Sequence, residues 1–189
     1  MRFLVFLVVV FPVLLLSQEG RARSAWMMEK QLVNAPNGYK KLCANRQEVC
    51  QNPPDATAVA GLQSNGFQQL LKFNQKMNLR ISYNSDERLY GQRDHWQVAT
   101  ESGDCEDIAL AKRVALVDAG WPPGALWLAI GVIPGGQAHV VLVLRSDHGD
   151  LVFDNRTDDL LLWHETNLRF LARQVPGDPR FWRRLVSPL

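Results

Sequence analysis

Cys105 stands in the run Gly103-Asp104-Cys105-Glu106-Asp107, a lone thiol between carboxylates. From it onward Ile108, Ala109, Ala111, Ala115, Leu116 and Ala119 recur at spacings of mostly three and four, the period of an amphipathic helix. Gly120-Trp121-Pro122-Pro123 ends that helix. Asp104 is then the expected N-cap and Asp107 its capping-box partner. Cys105 becomes the first helical residue, where free amides and the helix dipole favour a thiolate below the ordinary thiol pKa of about 8.5. Such a thiolate attacks carbonyl carbon. The competing reading is a buried, inert cysteine beside ordinary capping acids.

A cysteine nucleophile needs a base and a group to orient it, and the sequence offers His139 and Asp154. Ala125 to Ile133, Ala138 to Leu144, Leu151 to Asp154 and Leu160 to Trp163 read as strands divided by the turns Pro134-Gly135-Gly136 and Ser146-Asp147-His148-Gly149. Short connections make them an antiparallel meander laid against the cysteine helix. If the hairpin is centred between Asp147 and His148, position 139 faces position 156 and Asp154 is its diagonal neighbour on the same face. Cys105, His139 and Asp154 then form a nucleophilic triad. A slip of one residue presents Asn155 instead, which can fill the same role. His95, His148 and His164 lack the paired spacing of zinc ligands and read as surface residues.

The acids beside Cys105 create a conflict. Asp104, Glu106 and Asp107 place negative charge within a turn of a sulfur that must itself become negative, and like charge opposes ionisation. A hard divalent cation held by these oxygens removes the conflict, and such ligands suit calcium. For the oxyanion, the Cys105 amide is one donor; the Trp96 indole N–H is a candidate second, but a buried anchor is the favoured reading of that residue.

The rest of the chain must position these groups. Of 189 residues, the first two are Met1-Arg2, followed by the uncharged stretch Phe3 to Leu16, shorter than the ~20 apolar residues of a membrane-spanning helix. With the small-x-small tripeptide Ala22-Arg23-Ser24, residues 1–24 read as a cleavable signal peptide, which implies periplasmic or secreted localisation. Residues 25–189 read as a single domain. Loss of the leader removes Arg2, Arg21, Arg23 and Glu19 from totals of 21 basic and 19 acidic residues, leaving 18 of each. A neutral mature chain gives no sign of a nucleic-acid partner. In an oxidising compartment Cys43 and Cys50 can pair, leaving Cys105 as the odd thiol. Residues 25–56 read as a loosely structured lead-in, Ala58 to Met77 as a helix, Leu79 to Tyr83 as a short extended piece, and Asn84 to Thr100 as a long functional loop.

Tyr90-Gly91, Asp94-His95-Trp96, Gly103-Asp104-Cys105-Glu106-Asp107 with Ala111-Lys112-Arg113, Ala138-His139-Val140-Val141-Leu142 and Val152-Phe153-Asp154-Asn155 together resemble the bacterial transglutaminase-like cysteine proteinases. The resemblance implies an α+β fold with a papain/transglutaminase-like core, in which the cysteine helix packs on an antiparallel sheet bearing the histidine and aspartate. It implies Cys105, His139 and Asp154 as the triad, and calcium at the flanking acids, Asp104 and Glu106 first and Asp107 next. It further implies a protein substrate such as a surface adhesin, and a membrane-bound regulator. Ile108 and Val140 depart from residues common in the adhesin-cutting members.

The expected activity is hydrolysis of a protein amide through a thioester. Two rivals stand beside it: transfer of the acyl group to an amine, as in a transglutaminase, and an exported binding module with a vestigial site.

Overall fold

The structure, a computed structural model, describes residues 24–50, 59–175 and 178–186. The proposed leader lies almost wholly outside the described residues. The elements in chain order are β1 (Glu29–Asn34), α1 (Asn37–Asn45), α2 (Gln47–Cys50), α3 (Gly66–Arg80), β2 (Ser82–Tyr83), α4 (Asp86–Tyr90), β3 (Ser102–Gly103), α5 (Cys105–Asp118), β4 (Leu126–Val132), β5 (Ala138–Ser146), β6 (Gly149–Phe153), β7 (Leu160–Leu162), β8 (Arg169–Gln174) and β9 (Phe181–Leu185).

One antiparallel sheet in the order β1-β9-β8-β4-β5-β6-β7 carries the fold, with β2 and β3 paired in parallel apart from it. The meander expected from sequence is its β4 to β7 half. Alternation along β5 and β6 divides two cores, as a strand's period of two requires. Val140, Leu142, Leu144, Leu151 and Phe153 face the helical layer with Leu110, Leu116 and Leu70, whereas Val141, Val143 and Val152 face away with Met27, Trp163 and Phe170.

Helix α5 starts and stops where its sequence indicates. Alanine and leucine favour its interior. At its end Gly120, at φ 89°, lets its own amide bond Val117 O while the Trp121 amide bonds Leu116 O. The helix is buried on most sides: Met77 and Asn74 of α3 meet Ile108, Ala111 and Lys112, the loop at Gln97 bonds Asp107, and Arg113 bonds Val49 O and Leu126 O.

Three expectations change. The segment 25–56 is not a loose lead-in where it is described: it forms β1, α1 and α2, with β1 paired antiparallel to β9 and Cys43 bonded to Cys50. Strand β1 is exposed along nearly its whole length, so it carries no buried alternation to read. Helix α3 begins at Gly66 rather than Ala58, since Ala60 is drawn into a bridge with Ser146. The loop 84–100 contains α4.

Candidate active site

The hairpin between β5 and β6 has the register deduced from its turn, with Ser146 opposite Gly149 and Leu142 opposite Phe153. Asp154 follows β6 directly, and His139 Nε2 lies 2.8 Å from its Oδ1. Both side chains are buried. The slipped register that would offer Asn155 is not adopted. Cys105 opens α5, and its Sγ accepts from the Val140 amide at 3.5 Å, so the thiol sits against the peptide that follows His139. Asp154 and Cys105 thus both lie against the start of β5, at His139 and Val140 respectively.

Asp154 is the most heavily bonded of the three. Its Oδ1 also accepts from the Arg156 amide at 2.9 Å, and its Oδ2 from Arg156 Nη2 at 2.7 Å. Burial alone would raise its pKa, but hydrogen bonds from His139 and Arg156 outweigh burial and hold the carboxyl well below the usual range. From α3, Asn78 Nδ2 donates to Asp154 O and Thr157 O, while Asn74 Nδ2 donates to Thr157 O. Buried Lys112 of α5 donates in turn to Asn74 Oδ1 at 2.8 Å.

The thiol is not activated in the way its helix position suggests. Burial pushes the Cys105 thiol up, and the adjacent Glu106 carboxylate, 3.0 Å from Sγ, pushes it further. Both effects oppose the helix dipole.

Asp104 caps α5 by position, but its side chain makes no cap hydrogen bond. Its carboxylate gathers with those of Glu106 and Asp86, each offering an oxygen within 4.8 Å of the others. Asp104 Oδ1 and Asp86 Oδ1 are buried without a hydrogen-bond partner among the described residues. Burial, then Glu106, Asp107 and Asp86, raise Asp104 to about 8. Asp107, expected among the metal ligands, stands outside this cluster: its Oδ1 accepts from the Gln97 amide at 2.8 Å. Burial raises it to about 7 against the pull of that amide.

Asp86 was not among the residues singled out from sequence, because it lies 18 positions before Asp104 in a charge-rich loop. Local bonds bring it there. Asp86 Oδ2 accepts from the His95 amide at 2.5 Å, and Asn84 N bonds Gly103 O. Gly103 is needed at the crossing, since a Cβ there would lie 2.6 Å from Asp107 Cβ.

Trp96 is an anchor, the favoured of its two readings. Its indole N–H donates to Asp94 Oδ1 at 2.8 Å, and its ring packs edge-on to Tyr39 and Trp182. Asp94 also accepts from the Gly38 amide, which ties the loop to α1. His148 is exposed in its turn and bonds Asp147. His95 lies against the Tyr90 ring.

The family model of the bacterial transglutaminase-like cysteine proteinases matches residues 29–188. No curated protein sequence matches the chain. Among solved structures, calcium-bound LapG of Legionella pneumophila is 26% identical, with a TM-score of 0.52, over 65% of this chain and 72% of that one. EGTA-treated LapG of the same organism gives the same identity and TM-score over 65% and 69%. A cysteine opening a helix against an antiparallel sheet, and a family match that spans most of the described elements, make this chain a transglutaminase-like cysteine peptidase, and it belongs to the bacterial transglutaminase-like cysteine proteinases.

Proposed function

We propose that this peptidase cuts an exported or surface protein through a Cys105-His139-Asp154 triad, and that it works outside the cytoplasm after loss of residues 1–24. The observation that carries the reading is the 2.8 Å contact between His139 Nε2 and Asp154 Oδ1 beside the Cys105 thiol. With Nε2 engaged, Nδ1 is the nitrogen left to take the thiol proton. The thiolate attacks the amide carbon, and the developing oxyanion faces the Cys105 amide, which as the first of the helix has no intrahelical acceptor. His139 then protonates the leaving amine. It next takes a proton from water, which opens the thioester and frees Cys105. Asp154 orients the imidazole throughout.

Calcium fits the chain at Asp86, Asp104 and Glu106: the donors are hard oxygens, and two of them are buried without partners. When bound, the ion supplies positive charge that offsets the carboxylates raising the Cys105 thiol. That one similar structure is of a calcium-bound protein and another of an EGTA-treated one supports the same reading. By the resemblance, the substrate to test first is a surface adhesin and the partner a membrane-bound regulator; the balanced charge of residues 25–189 favours no nucleic acid.

The test compares surface and released proteins of cells carrying wild-type or Cys105→Ala enzyme. A cleaved product present only with the wild type supports hydrolysis. A product joined to an added amine supports acyl transfer instead, and identical profiles overturn the reading.

A further inference from the structure

We infer that Arg156 is a positioning residue of the peptidase, clamping the Asp154 carboxylate so that one oxygen stays aimed at His139. The inference rests on the triad reading above.

Three donors of a single residue converge on Asp154. The Arg156 amide and Nε reach Oδ1 at 2.9 and 3.2 Å, while Nε and Nη2 reach Oδ2 at 3.1 and 2.7 Å. A planar guanidinium set against both oxygens fixes the plane of the carboxylate as well as its position, which a point charge cannot do. The clamp is itself held, because Arg156 Nη2 also donates to Asn167 Oδ1 at 3.1 Å. A carboxylate just past a strand end, on a loop, would otherwise turn about its side-chain bonds and carry the imidazole with it.

Several charged groups surround Asp154, with Asp159 and Glu165 lining the cavity that it borders. His139 faces it from β5, Arg156 and Asp158 belong to its own loop, and Lys112 lies on α5 beneath. Burial lowers Lys112 to about 7, so it is a weaker cation at neutral pH than Arg156. On the side away from His139, Arg156 and Asp154 border an open cavity of about 300 Å³ with Thr157, Glu165 and Asn167. A small cation therefore has a route to the place of the guanidinium.

The experiment measures the rate at which iodoacetamide alkylates Cys105 as a function of pH, by mass spectrometry with calcium present throughout, so no natural substrate is required. Arg156→Met is expected to slow alkylation by about tenfold, the effect of roughly one pKa unit. Its acidic limb should also move to higher pH, because Asp154 loses a donor that keeps it ionised. Arg156→Lys should fall between the two. Guanidinium at millimolar concentration should speed Arg156→Ala but not Asp154→Asn. The double variant Asp154→Asn/Arg156→Met should be no slower than Asp154→Asn, since Arg156 acts through Asp154.

Wild-type rate and profile in Arg156→Met, or additive losses in the double variant, overturn the inference. If Arg156→Met does not fold, Arg156→Lys decides: slower alkylation at an unchanged melting temperature supports the clamp, and the wild-type rate overturns it. Wild-type rates in His139→Ala and Asp154→Asn would sink the triad itself. Slow reaction in those two with a normal Arg156→Met sinks the clamp alone.

Discussion

The Cys105 thiol lies 3.0 Å from Glu106 Oε2 and donates its hydrogen to the carboxylate of the next residue. Sulfur and carboxylate cannot both be negative there without a counter-charge. With no cation on Glu106 this contact favours a protonated thiol held by its neighbour, and relief has to come from a group that competes for Glu106.

Calcium removal gives the first prediction. In wild type, excess chelator is expected to slow iodoacetamide alkylation of Cys105 by on the order of tenfold or more, and restored calcium to reverse this. Asp86→Ala should stay slow after calcium is added back. Equal rates with and without chelator would take the cation out of the reading.

Removing the reactive groups should separate them by role. Cys105→Ala and His139→Ala are expected to lose cleavage by at least about 10³-fold while keeping wild-type circular dichroism, as members of one unit fail together. Asp154→Asn should retain a measurable fraction, since Arg156 and the Asn78 bond still hold the loop. Full cleavage by Cys105→Ala would refute the mechanism.

The indole of Trp96 offers a check on its role as an anchor. Trp96→Phe is expected to lower the melting temperature but leave turnover nearly unchanged, because the bond lost is the one to Asp94. A fall in kcat of about 10²-fold or more at constant KM would return the indole to the oxyanion site.

Lys112 predicts a pH dependence of stability. Burial lowers it to about 7 in the folded chain, while the unfolded chain keeps it protonated to about 10.4. Between those values the unfolded state binds more protons, so stability rises with pH; below them both states are protonated and the contribution is flat. Lys112→Met is expected to flatten the rise from pH 7 to pH 10 by on the order of 2 kcal/mol, read from urea midpoints. An unchanged slope would show that Lys112 is not the group responsible.

The Cys43–Cys50 bridge predicts one titratable thiol in denaturant without reductant, and three after reduction. Changing both to serine should cost about 2 kcal/mol, since the loop closed is short. Three thiols before reduction would contradict the bridge.

What the sequence disclosed and what it hid follow from range. The cysteine helix, the β5–β6 hairpin and the pairing of His139 with Asp154 were legible because each rests on a local period or a tight turn. Asp86 was not, since only the fold of loop 84–103 brings it to Asp104. Arg156 was hidden for another reason: its spacing from Asp154 is the shortest of any partner, yet arginine two residues after an aspartate is ordinary in a loop. Strand β1 was missed because its partner β9 lies far along the chain and its own residues are nearly all exposed, while β8 and β9, though they pair with each other, carry arginines at several positions that blur their alternation. Of the two effects that oppose ionisation of Cys105, the neighbouring acid was legible in the sequence and the burial of the thiol was not.

Trp182, on the last strand, packs at 5.4 Å on Tyr39 and 6.4 Å on Trp96, the residue next to the amide that Asp86 holds. A chain in which β9 has not yet joined the sheet lacks the ring that braces this loop. The loop that carries Asp86 is thus braced only once β9 has docked, so residues drawn from both ends of the described chain must be in place before the acidic cluster is held.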